Sequence, residues 1–218
     1  MPRIATSQDT VLKSLRKMLA SGRLKPGQQI IQDALASRLG VSRVPVREAL
    51  KVLQAEGRVI HELHRGYFVA ALDVEDLTEI YRLRTILEDE ALRIGIPKVT
   101  AKDVAQIKAL HQECLALGQR GEVTNMAAHN RKFHIAIFRL CGQERLISMI
   151  ENLWDSLDAY RVIFLNSPEN RKRTSDDHAR IVTAVAAKDL RESLRLHAAH
   201  NEHALKALRK QLLEAAAQ

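Results

Sequence analysis

A handful of histidines and two arginines hold the chemistry of this sequence. Asn130 and His134 stand four residues apart in NRKFH, the spacing that places two side chains on one face of a helix. Met126, Phe133, Ile137 and Cys141 share that face, so both polar residues point toward an apolar interior. His178 shares a stripe with Ile181, Val182 and Val185, and His200 falls between His197 and His203. Three imidazoles brought inward from three helices suit a borderline divalent metal such as zinc, with the Asn130 amide oxygen as a weaker fourth donor. An inward histidine is also a common hydrogen-bonded core residue. Periodicity does not choose cleanly on the last segment, where His197 lies nearer the Leu190, Leu194, Leu208 stripe than His200 does.

Arg84 sits in the middle of the stripe Leu77, Ile80, Tyr81, Leu87, Ala91, so its guanidinium faces the core and needs an anionic partner. Glu88, one turn on, is one answer. An effector carboxylate is the other, because arginine forks onto carboxylates through two parallel bonds. Arg161 has a similar place among Ile150, Trp154, Leu157 and Leu165. A metal flanked by inward arginines suits a small organic acid.

A second set of cations lies near the start of the chain. Arg43 and Arg47 are four apart at the beginning of the segment RVPVREALKVLQAEG, on one helical face. Arginine is the commonest side chain for guanine, through O6 and N7 in the major groove. Ser42 and the adjacent helix N-terminus can meet phosphate. Arg38 and Lys51 flank them as backbone contacts, and Arg65 can reach a neighbouring groove. Any one of these is also an ordinary solvated surface charge.

The elements that must position these groups follow from period and punctuation. Residues 8–21 have helical spacing and end at Gly22; IIQDALASRLG is a short helix stopped by Gly40; Ser42 is placed to cap the helix running to Gly57, with Pro45 in its first turn. Two short helices joined by a tight turn make a helix-turn-helix. RVIHEL and GYFVAAL then alternate around His64-Arg65-Gly66, a β-hairpin wing. From Asp73 onward every segment is helical, with spans at 74–95, 101–119, 123–141, 143–165, 175–187 and 189–213. Thr100-x-x-Asp103 and Thr174-x-x-Asp177 look like helix starts, and the polar stretch Asn166–Arg173 looks like the only long loop. The expected fold is mostly α: a winged helix-turn-helix over residues 1–72, then an all-α helical bundle of six or seven helices over residues 73–218.

The segment LASRLGVSRVPVREALKVLQAEGRV resembles the GntR family of transcription regulators, and the helical remainder resembles the effector domain (FCD) of its FadR-like branch. The resemblance spans almost the whole chain, and GVSRVPVREAL is its most specific part. It implies that Arg43 and Arg47 contact operator bases and that Gly66 lies at the wing tip. It favours His134, His178 and His200, spaced 44 and 22 residues apart, as ligands of a divalent metal, most simply zinc, and a small organic acid as the effector. Two positions depart from the family pattern. Asp33 occupies a place where some members carry a basic DNA-contacting residue, and Asn130 stands where metal-binding members usually have Asp, which should weaken the site.

Charge distribution agrees. Residues 1–72 hold 12 Lys/Arg against 5 Asp/Glu, whereas residues 73–218 hold 22 against 21; the basic excess is confined to the part that would meet phosphates. No apolar run approaches the roughly 20 residues that span a bilayer, and the N-terminus lacks a signal-peptide core, so a cytoplasmic protein without a membrane partner is expected. Cys114 and Cys141 form no CxxC pair and are expected as reduced thiols. A metal-dependent hydrolase is disfavoured: there is no HExxH, no phosphate-binding glycine loop and no inward carboxylate at general-base spacing. A site in which the ion itself is the signal stays open. The expectation is a homodimeric DNA-binding repressor, not an enzyme, that binds a pseudo-palindromic operator under control of a small carboxylate.

Overall fold

The computed structural model describes residues 7–216. The chain divides into two compact units, one ending at Leu72 and the other beginning at Asp73. In the first, α1 (Ser7–Ala20) is followed by β1 (Gln29–Ile30), α2 (Gln32–Leu39), α3 (Arg43–Ala55), β2 (Val59–Glu62) and β3 (Gly66–Val69). Val11, Leu15 and Leu19 of α1 pack with Leu50 and Leu53 of α3 and with Tyr67 and Val69 of β3 in one apolar core. The burial of these side chains fixes which face of α3 is left to solvent.

Gly40 turns the chain out of α2 with φ 65°, a left-handed conformation that costs glycine little. Ser42 then stands extended at the start of α3, but its hydroxyl makes no capping bond, so its expected capping role is corrected. The sheet is antiparallel in the order β1-β3-β2. The helix expected from Ile30 begins only at Gln32, because Gln29 and Ile30 pair with Phe68 and Tyr67. That strand is set by a partner far along the chain, which local period does not reveal.

The second unit is helical throughout the described residues: α4 (Val74–Gly95), α5 (Ala101–Gln119), α6 (Val123–Phe138), α7 (Glu144–Ser156), α8 (Asp158–Leu165), α9 (Pro168–Ala186) and α10 (Leu190–Ala216), with short 3₁₀ turns after α4 and α6. Capping boxes close the starts of α4 and α5, from Asp73 with Asp76 and from Thr100 with Asp103. The 143–165 segment breaks at Leu157 into α7 and α8. The supposed loop over 166–173 is mostly helix: Ser167 caps α9, Pro168 takes its first position, and Arg171 donates to the carbonyls of Leu165 and Asn166. Thr174 is consequently a buried mid-helix residue rather than a helix start. The core gathers Phe133, Phe138, Ile147, Ile150, Trp154 and Ile181 with their neighbours. Cys114 and Cys141 are free and buried, and burial pushes the Cys114 thiol up to about 12. No described helix is long and apolar enough to cross a membrane.

Candidate metal centre and nucleic-acid interface

The histidines converge. One ring nitrogen each from His134 on α6, His178 on α9 and His200 on α10 all lie within 4.8 Å of one another, and all three residues are buried. The Nε2 atoms of His134 and His178 are 3.1 Å apart, close to the roughly 3.3 Å between nitrogens on a tetrahedral zinc. Phe133 stacks on the His178 ring at 4.1 Å and holds its plane. The Nδ1 atoms of His134 and His178 are buried without a hydrogen-bond partner. Behind His200, Nδ1 faces Asp177 Oδ2 at 3.3 Å, the carboxylate backing that commonly orients a ligating imidazole. Burial, then the neighbouring histidines, hold His134 and His178 well below the ordinary imidazole range, so both are neutral, the form that ligates. The donor set fits a divalent metal, with modest closure of the widest pair.

Sequence periodicity left His197 and His200 in competition, and the structure gives them different surroundings. His197 Nδ1 faces Glu88 Oε2 at 3.6 Å, and burial above all depresses it to about 4, against the opposing pull of Glu88. Glu88 is a hub. It accepts from Arg84 Nε at 2.8 Å, Trp154 Nε1 at 2.6 Å and Asn201 Nδ2 at 2.8 Å. Burial works against its charge, but Arg84, His197 and these hydrogen bonds outweigh burial and hold the carboxyl below its usual range. Arg84 thus has the intramolecular partner that its position called for, and its Nη2 also donates to Asn201 Oδ1 at 3.2 Å.

Arg161 donates from Nη1 to Asp158 at 2.8 Å and from Nη2 to the Trp154 carbonyl at 3.1 Å, beside the break between α7 and α8. The Arg84 and Arg161 guanidiniums lie 4.2 and 4.5 Å from the Trp154 ring, within cation–π range. Arg84, Asn130, Trp154, Arg161, Thr174 and His200 help line one cavity of about 30 Å³, room for a water or two. The buried Thr174 hydroxyl has no protein partner. Each arginine has five N–H donors, more than these two bonds engage. Sequence reasoning missed Glu88's full role, Asn201, Trp154 and Asp177. Asn201 was findable as the residue one turn beyond His197, and Trp154 as the single tryptophan.

The cations of the first unit are arranged differently. Arg43 and Arg47 open α3 and are exposed, as are Arg38, Ser42 and Lys51. Arg43 pairs with Asp33 of α2, donating from Nη2 to Oδ2 with Nε against Oδ1. Glu48 lies 3.8 Å from Arg47 and 3.0 Å from Lys51. Val44, 58% exposed between the two arginines, is an unforeseen apolar side chain of the kind that meets a thymine methyl. At the wing, His64 and Gly66 take φ of 63° and 90°, and Gln29 Nε2 holds the Arg65 carbonyl at 2.7 Å. Arg65 pairs with Glu62 and lies 5.1 Å from the Phe68 ring.

Comparison with known proteins places these two units. A family model described as bacterial regulatory proteins, gntR family, matches residues 7–69, and the FCD domain model matches residues 79–217. The transcriptional regulator McbR of Escherichia coli K12 is 30% identical over 182 residues, covering 82% of each chain. The transcriptional repressor GlaR of the same organism is 28% identical over 198 residues, covering 85% of this chain and 88% of its own. The solved structure of E. coli McbR/YncC superposes with a TM-score of 0.85 at 26% identity, covering 95% of this chain and 99% of that one.

Proposed function

The chain belongs to the GntR family of bacterial regulatory proteins, with an FCD domain, and is a DNA-binding transcription regulator rather than an enzyme; from that premise we propose that it is a homodimeric repressor whose grip on its operator is set by a small carboxylate bound beside a divalent metal. Arg43 and Arg47 contact operator bases, Ser42, Arg38 and Lys51 meet phosphates, and Arg65 with Gly66 brings the wing to an adjacent groove. A dimer offers one such motif to each half-site of a pseudo-palindrome. The repressor reading is supported by GlaR, a relative named as one.

The observation that carries the effector reading is the shared cavity: His200 of the histidine cluster and the guanidiniums of Arg84 and Arg161 line one space. His134, His178 and His200 would hold the ion, most simply zinc, with Asn130 one turn from His134 as a weaker donor. The metal would supply Lewis-acid attraction for a carboxylate oxygen. The remaining N–H groups of Arg84 and Arg161, with the Thr174 hydroxyl, are suited to the rest of the acid. The cavity is small, about 30 Å³, and in this reading a bound acid displaces side chains around Trp154 and the α7–α8 break. That displacement is the step by which binding becomes a change in the bundle and in the presentation of the DNA-binding units.

The test is to titrate an operator duplex, selected from a randomised pool, with and without zinc and a panel of two- to four-carbon carboxylates. At least one acid, in the presence of zinc, should change operator affinity by about 5- to 150-fold, the range of ordinary allosteric coupling. Identical affinity under every condition would overturn the effector reading.

A further inference from the structure

The geometry points to Asp33 as the residue that fixes the orientation of Arg43 for base reading, an inference resting on the proposal that Arg43 contacts an operator base. An acidic group beside the α3 N-terminus looks unfavourable next to a phosphate backbone, and charge alone would make it a defect. Its contacts say otherwise. Asp33 grips Arg43 along one side of the guanidinium, accepting one N–H of Nη2 at Oδ2 while Oδ1 lies against Nε. Arginine has five such donors in a rigid plane, so both N–H groups of Nη1 and the second of Nη2 are left at the outer end. An end-on pair of that kind matches guanine O6 and N7.

Stability does not account for the contact. Side-chain exposure is 73% for Arg43 and 56% for Asp33, and exposed pairs add little to folding free energy. Asp33 does lie in the first turn of α2, where a carboxylate is favoured by the helix dipole. The dipole explains a negative charge there; it does not explain a side-on grip on an arginine 10 residues away. Because α2 packs on α3 through Leu35 and Ala36 in the shared core, the carboxylate is carried on a fixed element. A long side chain that would otherwise sample several rotamers is thereby held in one plane. The cost is repulsion from every phosphate nearby, whatever the base sequence. Asp33 therefore trades general affinity for selectivity.

Base preference separates this role from simple repulsion. Wild-type protein, Asp33→Asn, Asp33→Glu and Arg43→Ala are each used to select duplexes from a randomised DNA pool, and binding to the selected and to unrelated duplexes is measured. Arg43→Ala identifies the guanine position that depends on Arg43. At that position Asp33→Asn should lose about fivefold of its preference, a fraction of what one bidentate contact provides, while binding unrelated duplexes more tightly. Asp33→Glu keeps the charge but shifts the fork, so it should lose preference without gaining general affinity. Undiminished preference at that position in both Asp33 variants would overturn the inference and leave Arg43's own role intact. No change of preference in Arg43→Ala would instead overturn the base-reading proposal beneath it, and the inference with it.

Discussion

The two units use the same pair of chemical groups, guanidinium and carboxylate, in opposite ways. In the first, Arg43 with Asp33 and Arg65 with Glu62 are exposed pairs, open to solvent and weakened by salt. In the second, Arg84 with Glu88 is 4% and 0% exposed, and the carboxylate is satisfied on three sides by Arg84, Trp154 and Asn201. Exposure leaves the outer N–H groups of the first kind of pair within reach of DNA and adds little to folding free energy. Burial makes the second kind rigid and costly to break.

Removing the acid from each kind of pair sharpens that contrast. Glu88→Ala leaves Arg84 buried without its anion and strands the Trp154 N–H, so the protein should lose about 3–5 kcal/mol of stability, read by urea unfolding. Acid should act on the same buried region. His197 is held at about 4 in the folded protein, below the ordinary imidazole value, so the unfolded chain gains its proton first. Metal-free protein should then be unaffected above about pH 6.5 and lose stability as pH falls from there toward 4. His197 alone accounts for about 3 kcal/mol of that loss, with His134 and His178 shifted in the same direction. Unfolding curves in chelator at several pH values check this, and a flat profile from pH 7 to 5 would break the account of the buried cluster. At the small end, Glu62→Ala removes the exposed partner of Arg65 and should change stability by less than about 1 kcal/mol.

Legibility followed the same division. The winged helix-turn-helix could be read because its signals are local: Gly40 at a left-handed stop, a hairpin around His64-Arg65-Gly66, and a heavily basic surface. In the helical unit the capping box at Thr100 was equally plain, whereas the Asp73 box with Asp76 went unread. The convergence of His134, His178 and His200 was foreseeable in part from inward-facing periodicity, though choosing His200 over His197 needed the family resemblance. β1 was hidden, because two residues become a strand only through Phe68 and Tyr67. The start of α9 was misread for a different reason. Its Ser167-Pro168 start was present, but the polarity of the following residues suggested a loop; the bonds of Asn170 and Arg171 to preceding carbonyls show how so polar a turn is tied down. The partners of Glu88 come from α4, α7 and α10, 66 and 113 positions apart for Trp154 and Asn201, and no single-sequence pattern links them.

The division of labour rests on α3 as the element that reads DNA, and its most direct test is a single variant. Arg43→Ala combined with Arg47→Ala should fold with unchanged stability, because both side chains are exposed. It should bind the selected operator no better than unrelated duplex, a loss of about 1–3 kcal/mol of discrimination for each arginine. Measured side by side with the parent at one salt concentration, that ratio collapses if the account is right. A double variant that still discriminated operator from unrelated DNA as well as the parent would contradict it.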